Sequence, residues 1–241
     1  MEDWPLPDTL FTPFYLHGNG LLSKDCPIND GNSCTKYTFD PCNPVPTIGG
    51  GISAADIIIK PGSFDQRGRS DFIGCVDTLP LQSRHDVLTY QTKALEEEVE
   101  LTGPVEMRLW ASSSALDTDF TAKLIDVYPP GSNFPDGLSF NITDSIIRAR
   151  YRNGWEKPEL LHPDMAYEFV FQLYPTSNVF RKGHKIRLDV SSSNCPRFDV
   201  NPNTGNSLGD DRSYSVATQT IYHEPDRASC VILPLQSTDQ K

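Results

Sequence analysis

The sequence predicts an all-β fold, a sandwich of short strands that is most simply a jelly roll. Three observations carry this expectation. From about residue 87 onward, apolar and polar residues alternate with a period of two in one stretch after another. Turn-forming clusters separate the stretches: Pro129-Pro130-Gly131, Asp136-Gly137, Asn153-Gly154, His162-Pro163-Asp164 and Lys182-Gly183-His184. Twenty prolines and 16 glycines in 241 residues interrupt the chain too often for long helices.

Taken in order, the strands are these. Residues 94–101 read two ways. Glu96-Glu97-Glu98 favours helix, whereas Val99 and Leu101 before Gly103-Pro104 suit a strand entering a turn, and strand is the reading preferred. Val105, Met107, Leu109 and Ala111 alternate with Glu106, Arg108, Trp110 and Ser112, which places one side in a core and the other toward solvent. Phe120, Ala122 and Leu124 repeat the pattern. Ile147, Ala149 and Tyr151 alternate with Arg148, Arg150 and Arg152, and Tyr167, Phe169, Phe171 and Leu173 form the strongest stripe. Ile186, Leu188 and Val190 alternate with Arg187, Asp189 and Ser191, and residues 216–223 and 230–235 supply two more candidates. About eight short strands result. Residues 1–80 carry little periodicity, with Asp40-Pro41-Cys42-Asn43-Pro44-Val45-Pro46 and Gly49-Gly50-Gly51 among their turn-rich runs. They read as an extended lead-in that wraps over another surface, because a free loop of that length is unusual. The division is therefore 1–80 lead-in and 81–241 sandwich.

Composition excludes several functions. With 21 Lys+Arg against 32 Asp+Glu, the net charge of −11 repels a phosphate backbone, so no nucleic-acid partner is expected. No apolar run approaches the roughly 20 residues that span a bilayer, so no membrane partner is expected. Met1-Glu2-Asp3-Trp4-Pro5 does not read as a signal peptide. Cys26, Cys34 and Cys42 share one loop rich in Asn, Asp, Gly and Pro. They are either free thiols or parts of one or two disulfides, and the second reading requires an oxidising compartment. The sequon Asn141-Ile142-Thr143 leans toward secretion as well, and the compartment stays open.

The chemistry is sparse. The nearest approach to a nucleophile elbow, Gly51-Ile52-Ser53-Ala54-Ala55, lacks the last glycine and the strand-to-helix frame, so Ser53 is not expected to be a nucleophile. None of the five histidines has helical metal-site spacing, and His184, in a turn before a strand, reads as a surface or backbone-bonding residue. Asp117 and Asp119 are weak calcium candidates, with turn capping before Phe120 the preferred reading. Arg148, Arg150 and Arg152 on one strand face imply ion pairing or a seam to another domain. No cofactor is expected.

Several segments together resemble a known family. They include Trp4-Pro5-Leu6-Pro7, Thr12-Pro13-Phe14-Tyr15-Leu16, Tyr37-Thr38-Phe39-Asp40-Pro41, Pro44-Val45-Pro46, Gly49-Gly50 and Asp65-Gln66-Arg67. Further on come Asp86-Val87-Leu88-Thr89-Tyr90, residues 112–124, Thr176-Ser177-Asn178-Val179-Phe180 and Gly183-His184-Lys185-Ile186-Arg187-Leu188. Ser191-Ser192-Ser193-Asn194, Asn203-Thr204-Gly205 and Leu233-Pro234 close the series, which covers nearly the whole chain. It resembles the cocaine esterase and X-Pro dipeptidyl-peptidase family of serine hydrolases. Cys195 departs from the aromatic usual in that family, and the loop with Cys26, Cys34 and Cys42 is richer in cysteine than expected of bacterial members.

The resemblance implies a C-terminal jelly roll, similar to galactose-binding modules, that packs on an α/β-hydrolase catalytic domain. The triad positions would then lie before Met1, no catalytic residue carries over, and the chain alone is expected to be inactive. The catalytic domain is the implied partner, and a homo-oligomer of the complete enzyme is compatible with it. The resemblance also places Gly51, Ile52, Ser53 and Ile57 toward the substrate cleft. The competing reading of Ile52 and Ile57–Ile59 is a ninth strand of the sandwich. The alternative function is a self-standing carbohydrate-binding module, for which Trp110, Trp155 and Tyr174 are the stacking candidates, although Trp155, after the Asn153-Gly154 turn, reads equally as a domain-contact anchor.

Overall fold

A computed structural model describes residues 3–29, 31, 33–51, 58–209 and 211–236. It is a β-sandwich of twelve strands among these residues, with two short 3₁₀ turns at Leu81–Ser83 and Ala149–Tyr151. The strands are β1 (Thr9–Leu16), β2 (Leu22–Ser23), β3 (Cys34–Phe39), β4 (Leu88–Gln91), β5 (Val99–Ser113) and β6 (Asp119–Tyr128). They continue with β7 (Leu138–Arg148), β8 (Tyr167–Phe180), β9 (Lys185–Ser191), β10 (Ala217–Glu224), β11 (Arg227–Ala228) and β12 (Cys230–Gln236). No helix among the described residues is long and apolar enough to cross a membrane.

The larger sheet runs β11-β10-β5-β12-β1-β2, with β3 added on β10 and β8 on β5; the smaller runs β4-β9-β6-β7. Every ladder is antiparallel. β5 is the spine of the larger sheet. β8 pairs along one side of it from Val99 to Ala111, while β12 and β10 divide the other side. The period-two stripes meet between the sheets. Leu101, Val105, Met107, Leu109 and Ala111 of β5 and Phe169 and Leu173 of β8 pack against Phe120, Ala122 and Leu124 of β6 and Ile186, Leu188 and Val190 of β9. Phe120 and Phe169 meet across the gap with ring centroids 4.9 Å apart.

The structure departs from the sequence reading in three places. Gly103-Pro104 does not end a strand. β5 passes through it with a bulge between Gly103 and Val105, opposite a second irregularity beside Pro234 of β12. Two prolines lack ladder donors at this point, and Gly103, at φ 147°, lets the Pro234 ring approach so closely that a Cβ would sit 2.8 Å from it. Second, the Arg148-Arg150-Arg152 alternation is not one strand face: β7 ends at Arg148 and the chain turns into the 3₁₀ segment.

The third departure concerns the lead-in. β1 pairs with β12 from Thr9 to Tyr15, and β3 pairs with β10 from Cys34 to Phe39. Phe14, Leu16, Leu22, Tyr37 and Phe39 enter the main core. β1, β2 and β3 are therefore integral to the larger sheet, and a boundary at residue 80 divides one hydrogen-bonded unit. Residues 40–51 and 58–80 lie across the chain's own smaller sheet. There Val45, Ile48 and Phe72 form a second apolar cluster with Leu81 and Val87.

Candidate functional site

In β6 and β9 the residues that alternate with the core stripe point away from the larger sheet, as Thr121, Lys123, Arg187, Asp189 and Ser191 do. They are nonetheless buried, and Arg187, at 1% exposure, is among the largest fully enclosed side chains. Residues 43–51 and 58–84 cover them. They can do so because most of the polar groups they bury find partners.

Arg187 forks onto Asp189 through Nε and Nη2 at 2.7 and 2.6 Å and donates through Nη1 to Gln82 Oε1 at 2.5 Å. Lys123 Nζ donates to Gln66 Oε1 at 2.7 Å, and the Gln66 amide nitrogen donates on to the carbonyls of Ile48 and Phe64. Burial pushes the Lys123 ammonium pKa down, against the pull of Asp144 and Asp189. Asp65 accepts from the Ser139 backbone at 2.9 Å, and Asn141 accepts from the Phe64 backbone at 2.7 Å. At the other end Ser193 Oγ accepts from Val45 N–H, Thr47 donates to Asn194, and Asn194 donates to Asp144 at 2.8 Å. Arg197 lies 2.7 Å from Asp144, a charge contact off hydrogen-bond geometry.

The segments Pro44-Val45-Pro46, Asp65-Gln66-Arg67 and Ser191-Ser192-Ser193-Asn194 thus converge on one clamp. The glycine run belongs to it in part. Gly49 and Gly50 have φ of 70° and 125°, and Gly50 exchanges two hydrogen bonds with Gly62, at 2.7 and 3.0 Å. A Cβ at Gly49 would lie 2.3 Å from the Gly62 carbonyl oxygen, and one at Gly50 would lie 2.5 Å from Arg197 Nη1. The close approach that these glycines permit is made within this chain. Gly51 differs: it is exposed, with open space where a Cβ would be. Ile52, Ser53 and Ile57, expected beside it at the substrate cleft, lie outside the described residues, and so does most of the competing ninth strand. Beyond them, Ile58, Ile73, Val76 and Leu79 expose apolar side chains on the covering segment, Val76 at 86%.

Asp117 and Asp119 are buried, and all four of their oxygens accept from protein donors. Arg150 binds Asp117 through its backbone N–H and Nε at 2.9 and 2.7 Å. Arg148 forks onto Asp119 at 2.9 and 3.0 Å, and Asn201 Nδ2 bridges the two carboxylates. Burial raises the Asp119 pKa to about 6, with Arg148 and Asn201 opposing. Instead of turn capping, the Asp117-Thr118-Asp119 pair neutralises Arg148 and Arg150, and a cation there would have to displace both guanidinium groups. Arg152 lies 3.8 Å from Glu159, so the ion-paired reading of the arginines holds although their strand does not.

Other expectations change too. His184 is not a surface residue: it is buried, with Nδ1 2.9 Å from Asp126 and its ring 4.1 Å from that of Tyr128. Asn141 of the sequon is buried in β7 with its amide engaged, which leaves a glycan no room in the folded chain. The six cysteines are free thiols, with Cys26, Cys34 and Cys42 exposed. Of the three aromatic candidates, Trp110 is half-buried, Tyr174 lies under the Arg197 guanidinium, and Trp155 stands 78% exposed beside Tyr151.

Comparison with known proteins accounts for the sparse chemistry. Residues 1–232 match the family model of the X-Pro dipeptidyl-peptidase C-terminal non-catalytic domain. The chain belongs to this family. Cocaine esterase of Rhodococcus sp. (strain MB1 Bresler) is 39% identical to it over 242 residues, 97% of this chain and 39% of that protein. Among solved structures, an α-amino acid ester hydrolase superposes with a TM-score of 0.80 at 30% identity, covering 94% of this chain and 36% of that one. An aminopeptidase from a Thaumarchaeota archaeon superposes with a TM-score of 0.82 at 27% identity, covering 98% and 38%. This X-Pro peptidase-type C-terminal domain therefore spans about two fifths of the length of each of these relatives.

Proposed function

We propose that this non-catalytic domain braces the α/β-hydrolase catalytic domain of a serine hydrolase acting on esters or X-Pro amides, and that it forms one wall of that enzyme's substrate cleft. The observation that carries this reading is the covering segment. It is locked to the smaller sheet by buried polar contacts, yet it turns Ile58, Ile73, Val76 and Leu79 outward. Apolar side chains exposed on a rigid support suit a permanent domain contact. Gly51, Ile52, Ser53 and Ile57 fall in sequence between Gly50 and Gly62, which are bonded to each other, and in this reading they supply the cleft wall.

The test uses a hydrolase that carries this chain behind its catalytic domain. Ile52→Ala and Ile57→Ala are each assayed across acyl groups of increasing length. A cleft wall shifts relative kcat/KM between acyl groups by about 1–3 kcal/mol per lost contact, with stability unchanged. Earlier melting with an unchanged substrate ranking overturns the wall assignment. The chain by itself hydrolyses neither an activated short-chain ester nor an X-Pro chromogenic amide, and turnover abolished by Ser53→Ala would contradict this.

A further inference from the structure

We propose that a cleft running from Trp155 to Tyr214, at the Arg148 end of the smaller sheet's outer face, binds a neutral saccharide. Two adjoining hollows make up the cleft, and they share Arg148, Asp199 and Leu208 as a common wall. The first is aromatic and apolar. Trp155 and Tyr151 lie with ring centroids 5.3 Å apart and planes inclined by 30°, and Ile146 and Phe198 complete the lining. The second hollow is polar and includes Asn206, Ser207 and the exposed Tyr214.

A large exposed indole costs solubility unless something covers it. The chemistry beside it narrows what that is. Arg148 is committed to Asp119 and Arg150 to Asp117, so neither offers a free charge to an anion. Asp199, which lines both hollows, accepts from Arg148 Nη2 at 3.1 Å through one oxygen, and its side chain is 86% exposed, which leaves the other oxygen open to a ligand. Asp211, at the far side, is held by Thr204 and Asn206. The cleft thus offers a flat apolar platform, a fixed carboxylate acceptor and uncharged polar groups one hollow further on. A pyranose ring has one face of C–H groups to stack on an indole and an edge of hydroxyls for a carboxylate. A second ring would reach the polar hollow. This inference rests on residues other than those of the proposed cleft wall, so either reading can fail without the other.

The experiment titrates the 241-residue chain with lactose, cellobiose, xylobiose and methyl β-glucopyranoside, and separately with tetramethylammonium chloride, following heat and indole fluorescence. The expected result is saturable binding of at least one sugar below about 10 mM, weakened at least tenfold in Trp155→Ala and in Asp199→Ala. Both variants melt at the wild-type temperature, because both side chains are exposed. No saturable sugar binding, binding unaffected by Trp155→Ala, or binding of the quaternary ammonium ion in place of the sugars would overturn the proposal.

Discussion

The two sheets of this domain look alike in sequence and differ in physics. On the larger sheet, the residues that alternate with the core stripe face water: Arg108, Glu168, Val170 and Tyr174 are all exposed. On the smaller sheet the equivalent residues, Lys123, Arg187 and Asp189, alternate just as regularly and are enclosed by residues 43–51 and 58–84. A period of two reports which residues leave the core. Whether they then meet water depends on a segment about a hundred residues away in the chain. The difference in environment sets the cost of a charge. An exposed ion pair such as Arg108–Glu106 is weak, whereas a buried one cannot lose a partner cheaply.

Arginine replacement tests this contrast most strongly. Arg187→Ala leaves Asp189 buried without its guanidinium and should destabilise the chain by about 3–5 kcal/mol in urea denaturation. Arg108→Ala on the larger sheet should cost less than about 1 kcal/mol. Arg187→Met with Asp189→Leu should recover much of the loss, because the penalty belongs to the unpaired charge. Similar costs at Arg187 and Arg108 would erase the distinction between the two faces.

The glycines give a smaller effect with the same logic. Gly50→Ala forces a Cβ toward Arg197 at φ 125° and should cost about 1–3 kcal/mol, while Gly51→Ala stays within about 0.5 kcal/mol. Equal effects at the two positions would show that the clamp does not hold Gly50.

Lys123 adds a dependence on pH. Burial lowers its pKa in the folded chain below the unfolded value of 10.5, so the unfolded state binds more protons between the two. Its contribution therefore makes stability rise with pH between the folded and unfolded pKa values. Lys123→Met should remove the rise, and a wild type and variant whose stabilities run parallel with pH would refute it.

Thiol labelling is the mildest probe. Cys26, Cys34 and Cys42 should react readily at neutral pH, whereas Cys230, buried with its pKa raised to about 11, should react only on unfolding.

Much of the fold was legible in the sequence because its core stripes are local. Tyr167, Phe169, Phe171 and Leu173 identify β8 with no knowledge of its neighbours. β1 and β3 were not legible. Pro13 and the mixed polarity of Cys34–Phe39 blur their periodicity, and both owe their place to partners near residues 217–236. The clamp was visible only as a set of family-like segments. Nothing local says that Gln66 will receive Lys123 or that Ser193 will hold Val45. The pairing of Asp117 with Arg150 was likewise hidden, since 33 residues separate them, although two acidic and three basic residues in a chain of net charge −11 were the available signal.

Amide hydrogen exchange on the 241-residue chain tests the central claim, that residues 43–51 and 58–84 are clamped onto the smaller sheet by the chain's own buried polar groups. The amides to follow are those of Val45, Thr47 and Gln66, which donate to Ser193 Oγ, the Cys195 carbonyl and the Ser139 carbonyl. The account predicts protection at these three amides comparable to that of β6 and β9, and its loss in Arg187→Ala. Exchange as fast as in an unstructured peptide, with β6 and β9 still protected, would show that the segment lies loosely on the sheet and would contradict the account.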